Sequence, residues 1–153
     1  MKNKMLYIFT MGMLLLSGAT LANDCELTVE AGDSLKFNAS SLSVPSTCGS
    51  VTLNLKHGGK MPKTVMGHNW VLSKTADVGA IASDGIKAYT TSGRTIVVKE
   101  NDERVIAHTT LIGGGETTSI TFSLDGLSAS ESYTFFCSFP GHAGLMRGAF
   151  NII

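Results

Sequence analysis

The chain has no cluster of lysine or arginine, no apolar run of bilayer length, three prolines and a single tryptophan. The first absence removes the electrostatic footprint of a nucleic-acid binder. Lysine plus arginine and aspartate plus glutamate number 12 each, so no field of one sign steers a polyanion or polycation to the surface. The apolar run Met5 to Leu16 has 12 residues and falls short of the roughly 20 that a transmembrane helix needs. Gly113-Gly114-Gly115 lacks the lysine that a phosphate-cradling loop requires and reads as a turn. No internal repeat is visible. What remains is a 153-residue chain rich enough in Val, Ile, Leu and Phe to bury one core.

The N-terminus has the layout of a secretory signal. Lys2 and Lys4 precede the apolar run, and Ser17-Gly18-Ala19-Thr20-Leu21-Ala22 supplies a small-residue exit. Cleavage after Ala22 is expected, with residues 1–22 as signal and 23–153 as one domain. Asp24 stands before Cys25 where a lipid-modified cysteine needs a small residue, so a soluble product without a membrane anchor is expected. Losing Lys2 and Lys4 leaves the mature chain slightly acidic.

An exported chain meets oxidants, and three cysteines then leave one unpaired. Three pairings are open. Cys25 and Cys48 both sit among polar, loop-like residues, which favours their pairing, and closing that loop stabilises by roughly 3 kcal/mol. Cys137 instead ends the apolar run Tyr133-Thr134-Phe135-Phe136, as a strand leading into a loop. A metal bound to its thiolate accounts for a thiol surviving among oxidants.

Period-two alternation in Val51 to Leu55 and Ser119 to Leu124 marks strands with one buried face. Further strands are expected at Glu26 to Glu30, Leu35 to Asn38, Trp70 to Leu72, Arg104 to Ala107, Ser132 to Cys137 and Arg147 to Ile153. About eight short strands punctuated by Gly, Asn, Asp, Ser and Pro predict an all-β, two-sheet sandwich. Thr75 to Ala88 reads as a short helix. Thr95-Ile96-Val97-Val98, within Tyr89 to Asp102, reads as an extra strand or a flap.

Cys137-x4-His142-x3-Met146 sets a thiolate, an imidazole and a thioether close together, donors that suit copper. Zinc also takes Cys and His, but Met is a poor zinc ligand. A trigonal His2Cys site with a long axial Met needs one more histidine, from His57, His68 or His108. His68 is the best candidate, because Gly67 lets backbone approach the site and Asn69 can bond a neighbouring loop.

Met66-Gly67-His68-Asn69-Trp70 and Cys137-Ser138-Phe139-Pro140-Gly141-His142 resemble the two copper-loop signatures of the azurins, the bacterial members of the cupredoxin family. The resemblance extends over nearly all the mature chain, including the spacing of Cys25 and Cys48, and fails mainly from Lys87 to Glu103. It implies a Greek-key cupredoxin sandwich with one copper ion. Its equatorial ligands would be His68, Cys137 and His142, its axial ligand Met146, and the Gly67 carbonyl a weak further contact. Asn69 would brace the ligand loops, and a backbone amide near Phe139 would donate to the Cys137 sulfur. His57 would sit near the metal without binding it, and His108 would be a surface or outer-layer residue.

The same resemblance implies a periplasmic electron shuttle of a Gram-negative bacterium, not an enzyme. His57 and His108 are too few and too separated to build a second, open metal site. The expected partners are c-type cytochromes or copper-containing or haem reductases such as nitrite reductase, met transiently by a monomer. Leu35, Met61, Met66, Phe139, Pro140, Gly141 and Leu145 would form an apolar docking patch around His142, with Val65 and Ile86 beside them. Copper storage or delivery is the alternative.

Overall fold

The computed structural model describes residues 24–153, so the expected signal segment lies outside the described residues. Nine strands occur among them: β1 (Glu26–Gly32), β2 (Ser34–Phe37), β3 (Ser41–Val44), β4 (Ser50–His57), β5 (Val71–Lys74), β6 (Val105–His108), β7 (Thr117–Ser123), β8 (Tyr133–Phe136) and β9 (Arg147–Ile152). A single turn of helix, α1 (Lys63–Met66), precedes β5, and α2 (Val78–Thr91) follows it after a 3-10 turn. The strands form two sheets, β2-β1-β4-β7 and β3-β9-β8-β5-β6. Each mixes antiparallel pairs with one parallel pair, β1 with β4 and β3 with β9. Strands adjacent in sequence often lie in different sheets, giving the expected Greek-key sandwich.

The alternation read in β4 is burial: Val51, Leu53 and Leu55 are fully buried, with more exposed residues between them. Their side chains share one core with Leu72, Phe135 and Phe150 from the second sheet and with Trp70, which immediately precedes β5. Trp70 lies between Phe122, 5.8 Å away by ring centroids, and Phe135, 6.1 Å away. β8 does not alternate, because all four of its residues are buried. Its outer face is covered: Phe136 and Val71 pack with Val78 and Ile81 of α2 and with Val98 from the segment after it. A strand buried on both faces reads as a continuous apolar run.

The elements depart from expectation at three places. β3 was absent from the sequence reading; it is four residues long, and its partner, β9, lies at the other end of the chain. Of the two readings of Thr95 to Val98, strand or flap, the strand is not formed; the chain there is irregular, with Val97 and Val98 buried. The helix itself runs from Val78 to Thr91, displaced from the Thr75 to Ala88 expected, because Thr75–Asp77 is a 3-10 turn. Cys25 and Cys48 form the expected disulfide.

Candidate metal centre

The site forms at one end of the sandwich, where β5 begins and β8 ends. Val71 pairs with Phe136, so continuing the antiparallel register sets Ser138 opposite Asn69 and brings His68 toward Cys137. His68 is clamped by an isolated bridge to Ile112, with its amide donating to the Ile112 carbonyl at 2.9 Å and its carbonyl accepting from Ile112 at 2.9 Å. After Cys137 the chain turns tightly: the His142 amide donates to Phe139 O at 3.0 Å and the Met146 amide to His142 O at 2.8 Å. The Cys137 amide closes the loop on Met146 O at 3.0 Å. These backbone bonds use none of the donor side-chain atoms.

The three residues His68, Cys137 and His142 place one ligand atom each within 4.8 Å of one another, and all three are buried. Cys137 Sγ lies 3.9 Å from His68 Nδ1 and 3.6 Å from His142 Nδ1. The Gly67 carbonyl oxygen is 4.0 Å from the same sulfur. Met146 is wholly buried in the same core cluster as Cys137 and Phe139. Gly67 is required by space: a Cβ there would stand 2.2 Å from Lys63 O and 2.9 Å from a Leu111 methyl.

Hydrogen bonds fix which ring nitrogen faces the centre. His68 Nε2 lies 2.7 Å from Gly32 O; a carbonyl only accepts, so Nε2 carries the proton and Nδ1 presents its lone pair toward Cys137. His57 is buried and stacked on His68 at 4.7 Å, but both its nitrogens are engaged. Nε2 donates to Met66 O at 2.9 Å, and Nδ1 accepts from the Gly59 amide at 3.1 Å. His108 is exposed at the end of β6 and stands outside the cluster. Of three candidate histidines, the structure therefore brings His68 to Cys137 and His142.

Burial pushes the Cys137 thiol up to about 12, against the opposing pull of hydrogen bonds from the Asn69 and Phe139 amides. Burial first, and the nearby His68 second, press His142 down to about 4. Burial also lowers His68, partly offset by its bond to Gly32 O. Both imidazoles are thus neutral lone-pair donors at neutral pH. The buried thiol gives up its proton when a cation compensates the thiolate, so metal binding releases a proton. One soft sulfur, two imidazole nitrogens and a thioether, all shielded from water, fit copper.

Around the centre, Asn69 Oδ1 accepts the Ser138 amide at 2.9 Å, and Asn69 Nδ2 donates to Ser138 Oγ at 2.9 Å. Phe139 packs 4.7 Å from the His142 ring and 5.1 Å from Tyr89 of α2. His142 is only 5% exposed, less than a solvent-facing imidazole would be. The large exposed hydrophobics include Leu35, Met61, Val65, Ile86 and Leu145, the last at 71%. Gly141 is also exposed, while Met66 and Pro140 are partly so. Sequence reasoning missed Gly32, whose carbonyl orients His68, and Asp33, whose carboxylate accepts the Lys60 and Met61 amides at 2.8 and 3.0 Å. Gly-Asp-Ser between two strands signals only a turn, and backbone carbonyls leave no mark in composition.

Comparison with known proteins bears on this geometry. The family model for copper binding proteins of the plastocyanin/azurin family matches residues 23–152. Azurin of Alcaligenes faecalis is 51% identical over 128 residues, 84% of this chain and 98% of that protein. Azurin of Bordetella pertussis is 45% identical over 141 residues, 92% of each. A solved structure of azurin iso-2 from Methylomonas sp. strain J is 49% identical with a TM-score of 0.78, covering 84% of this chain and 98% of its own.

Proposed function

The chain belongs to the plastocyanin/azurin family of copper-binding proteins, and on that premise we propose that it is a periplasmic type 1 copper protein carrying single electrons between redox partners. In this reading His68, Cys137 and His142 would hold the copper ion, with the Met146 thioether and, more weakly, the Gly67 carbonyl as further donors. Bound copper supplies the one-electron couple between Cu(I) and Cu(II). The observation that carries the reading is the convergence of His68 Nδ1, Cys137 Sγ and His142 Nδ1 in a buried cluster.

The remaining work belongs to the protein. Gly32 O holds the His68 ring, the Ile112 bridge holds its backbone, and the Cys137-to-Met146 turn holds the other donors. Donors fixed by bonds of their own cannot rearrange freely when charge at the site changes, and that favours fast exchange in both directions. Burial of every donor also favours retaining the ion over handing it on, which weighs against storage or delivery. The Cys25–Cys48 disulfide supports an oxidising compartment, and with the signal-like N-terminus it points to the periplasm of a Gram-negative cell.

In this reading electrons reach the buried site through apolar surface formed by Leu35, Met61, Met66, Pro140, Gly141 and Leu145; Phe139, expected in the same patch, is buried instead, 4.7 Å from the His142 ring. A small apolar contact suits a transient redox encounter with a c-type cytochrome or a reductase such as nitrite reductase. Voltammetry of the copper-loaded protein tests the reading: one reversible one-electron wave, with no copper lost on reduction, is expected. Release of copper on reduction would favour delivery instead.

A further inference from the structure

The stretch that departs most from the azurin pattern is fastened to the site at one point. Val97, 4% exposed, lies in the irregular chain after α2, and its carbonyl accepts a 2.6 Å bond from the Ser138 hydroxyl. Gly85 of α2 walls the other side: a Cβ there would come within 2.4 Å of Val97 O. Ser138 Oγ in turn accepts from Asn69 Nδ2, and Asn69 Oδ1 accepts the Ser138 amide. A continuous buried chain therefore runs from Val97 O through the Ser138 hydroxyl to the Asn69 carboxamide. The backbone amides of Asn69 and Phe139, on either side, are the two that bond the Cys137 sulfur.

The stretch is tied down at both ends. Ser92 Oγ accepts the Thr95 and Ile96 amides at 3.3 and 3.0 Å. Arg104 bonds Asp84 of α2 at 2.7 Å and, through Nε, Asp102 at 2.7 Å. Between the ties, Val98 packs on the outer face of the sheet with Val71 and Phe136.

We infer that residues 95–102 form a strap whose Val97 carbonyl, acting through the Ser138 hydroxyl, positions the Asn69 and Phe139 amides on the Cys137 sulfur. The direction of one proton decides it. With Asn69 Nδ2 donating to Oγ, the Ser138 hydroxyl must send its own proton elsewhere, and Val97 O is nearer than Asn69 Oδ1 at 3.3 Å. The strap thereby leaves Asn69 Oδ1 to the Ser138 amide and locks the two loops together. Each of these groups is buried, so losing one bond strands its partner. Amides aimed at a thiolate stabilise the state with more negative charge, here the reduced one. Loosening the strap should lower the reduction potential. Val97 and Ser138 are positioning residues, not ligands, and the inference rests on the type 1 copper reading.

The test uses the full mature chain in two forms. In the metal-free protein, amide hydrogen exchange at Asn69 and Phe139 should speed up by about tenfold in Ser138→Ala, the scale of one lost buried bond. Ser138→Thr, which keeps the hydroxyl, should retain protection. Arg104→Gln, remote from the ligand loops, should speed the same amides by a smaller factor. Exchange at Leu53 and Leu55 should stay unchanged in all three. In the copper-loaded protein, Ser138→Ala and Arg104→Gln should both lower the potential. Unchanged exchange at Asn69 and Phe139, a rise shared equally with Leu53, equal loss in Ala and Thr variants, or potentials matching the parent would overturn the strap. A parent without an intense visible band would remove the copper reading instead, leaving the metal-free exchange to judge the strap by itself.

Discussion

At the scale of single residues, the chemistry depends on two imidazoles kept neutral and on one buried thiol that ionises only when a cation compensates it. Burial achieves the first by depressing His68 and His142, the latter to about 4. The sign of the consequence follows. A folded-state value below the ordinary histidine value of about 6.5 means that protons bind the unfolded chain more readily. The contribution is present above about 6.5 and is lost as pH falls toward the folded values. Thermal unfolding of the metal-free protein should therefore show a melting temperature that declines from pH 6.5 toward 4, and His142→Gln should flatten that decline. A melting temperature constant through this window would contradict the assignment of two buried neutral imidazoles.

Much of this site was legible residue by residue, because Cys137, His142 and Met146 lie on one short loop. The second histidine was not legible from the residues alone; the family resemblance selected His68. What places it physically is a carbonyl at Gly32, a residue with no side chain to draw notice. Ser138 was equally silent: its role depends on Val97, a residue whose contact arises only when the irregular stretch folds back.

At the scale of elements, the disulfide joins the start of β1 to the turn before β4, closing a loop with a sequence separation of 23. Removing that constraint frees the unfolded chain more than it disturbs the folded one, so Cys25→Ala with Cys48→Ala should cost roughly 3 kcal/mol. Urea unfolding of the paired variant measures it, with the visible spectrum of the copper-loaded protein expected to stay as in the parent. Strand positions were readable where one face alternates, as in β4 and β7, and where a run is apolar on both faces, as in β8. β3 escaped because its four residues hold only two exposed–buried repeats and its parallel partner is remote. The Val97-Val98 pair carries strand-forming residues for a different reason: both are buried without a ladder, Val98 against the outer sheet face and Val97 in the main core.

At the scale of the whole molecule, the sheet that holds β5 and β8 delivers the start of one and the end of the other to the site, and Met61, Val65, Ile86 and Leu145 are among the large apolar residues left exposed. An apolar docking face predicts that Leu145→Asp slows electron exchange with a c-type cytochrome while the absorption spectrum stays unchanged. Stopped-flow kinetics with both proteins measured side by side would show it; an unaltered rate would move the docking face elsewhere. The fold class, two sheets around one core, was readable from strand count and punctuation. The way α2 and the strap cover the outer sheet face was not, because it depends on contacts between segments distant in sequence.

The central claim is that Cys137, His68 and His142 hold copper in one trigonal cluster with Met146 beyond. The most direct measurement is the visible absorption of the copper(II)-loaded protein beside Cys137→Ser prepared in the same way. The account predicts an intense thiolate-to-copper charge-transfer band in the parent and its loss in the variant. A pale or colourless parent complex, or a band that survives in Cys137→Ser, would contradict it.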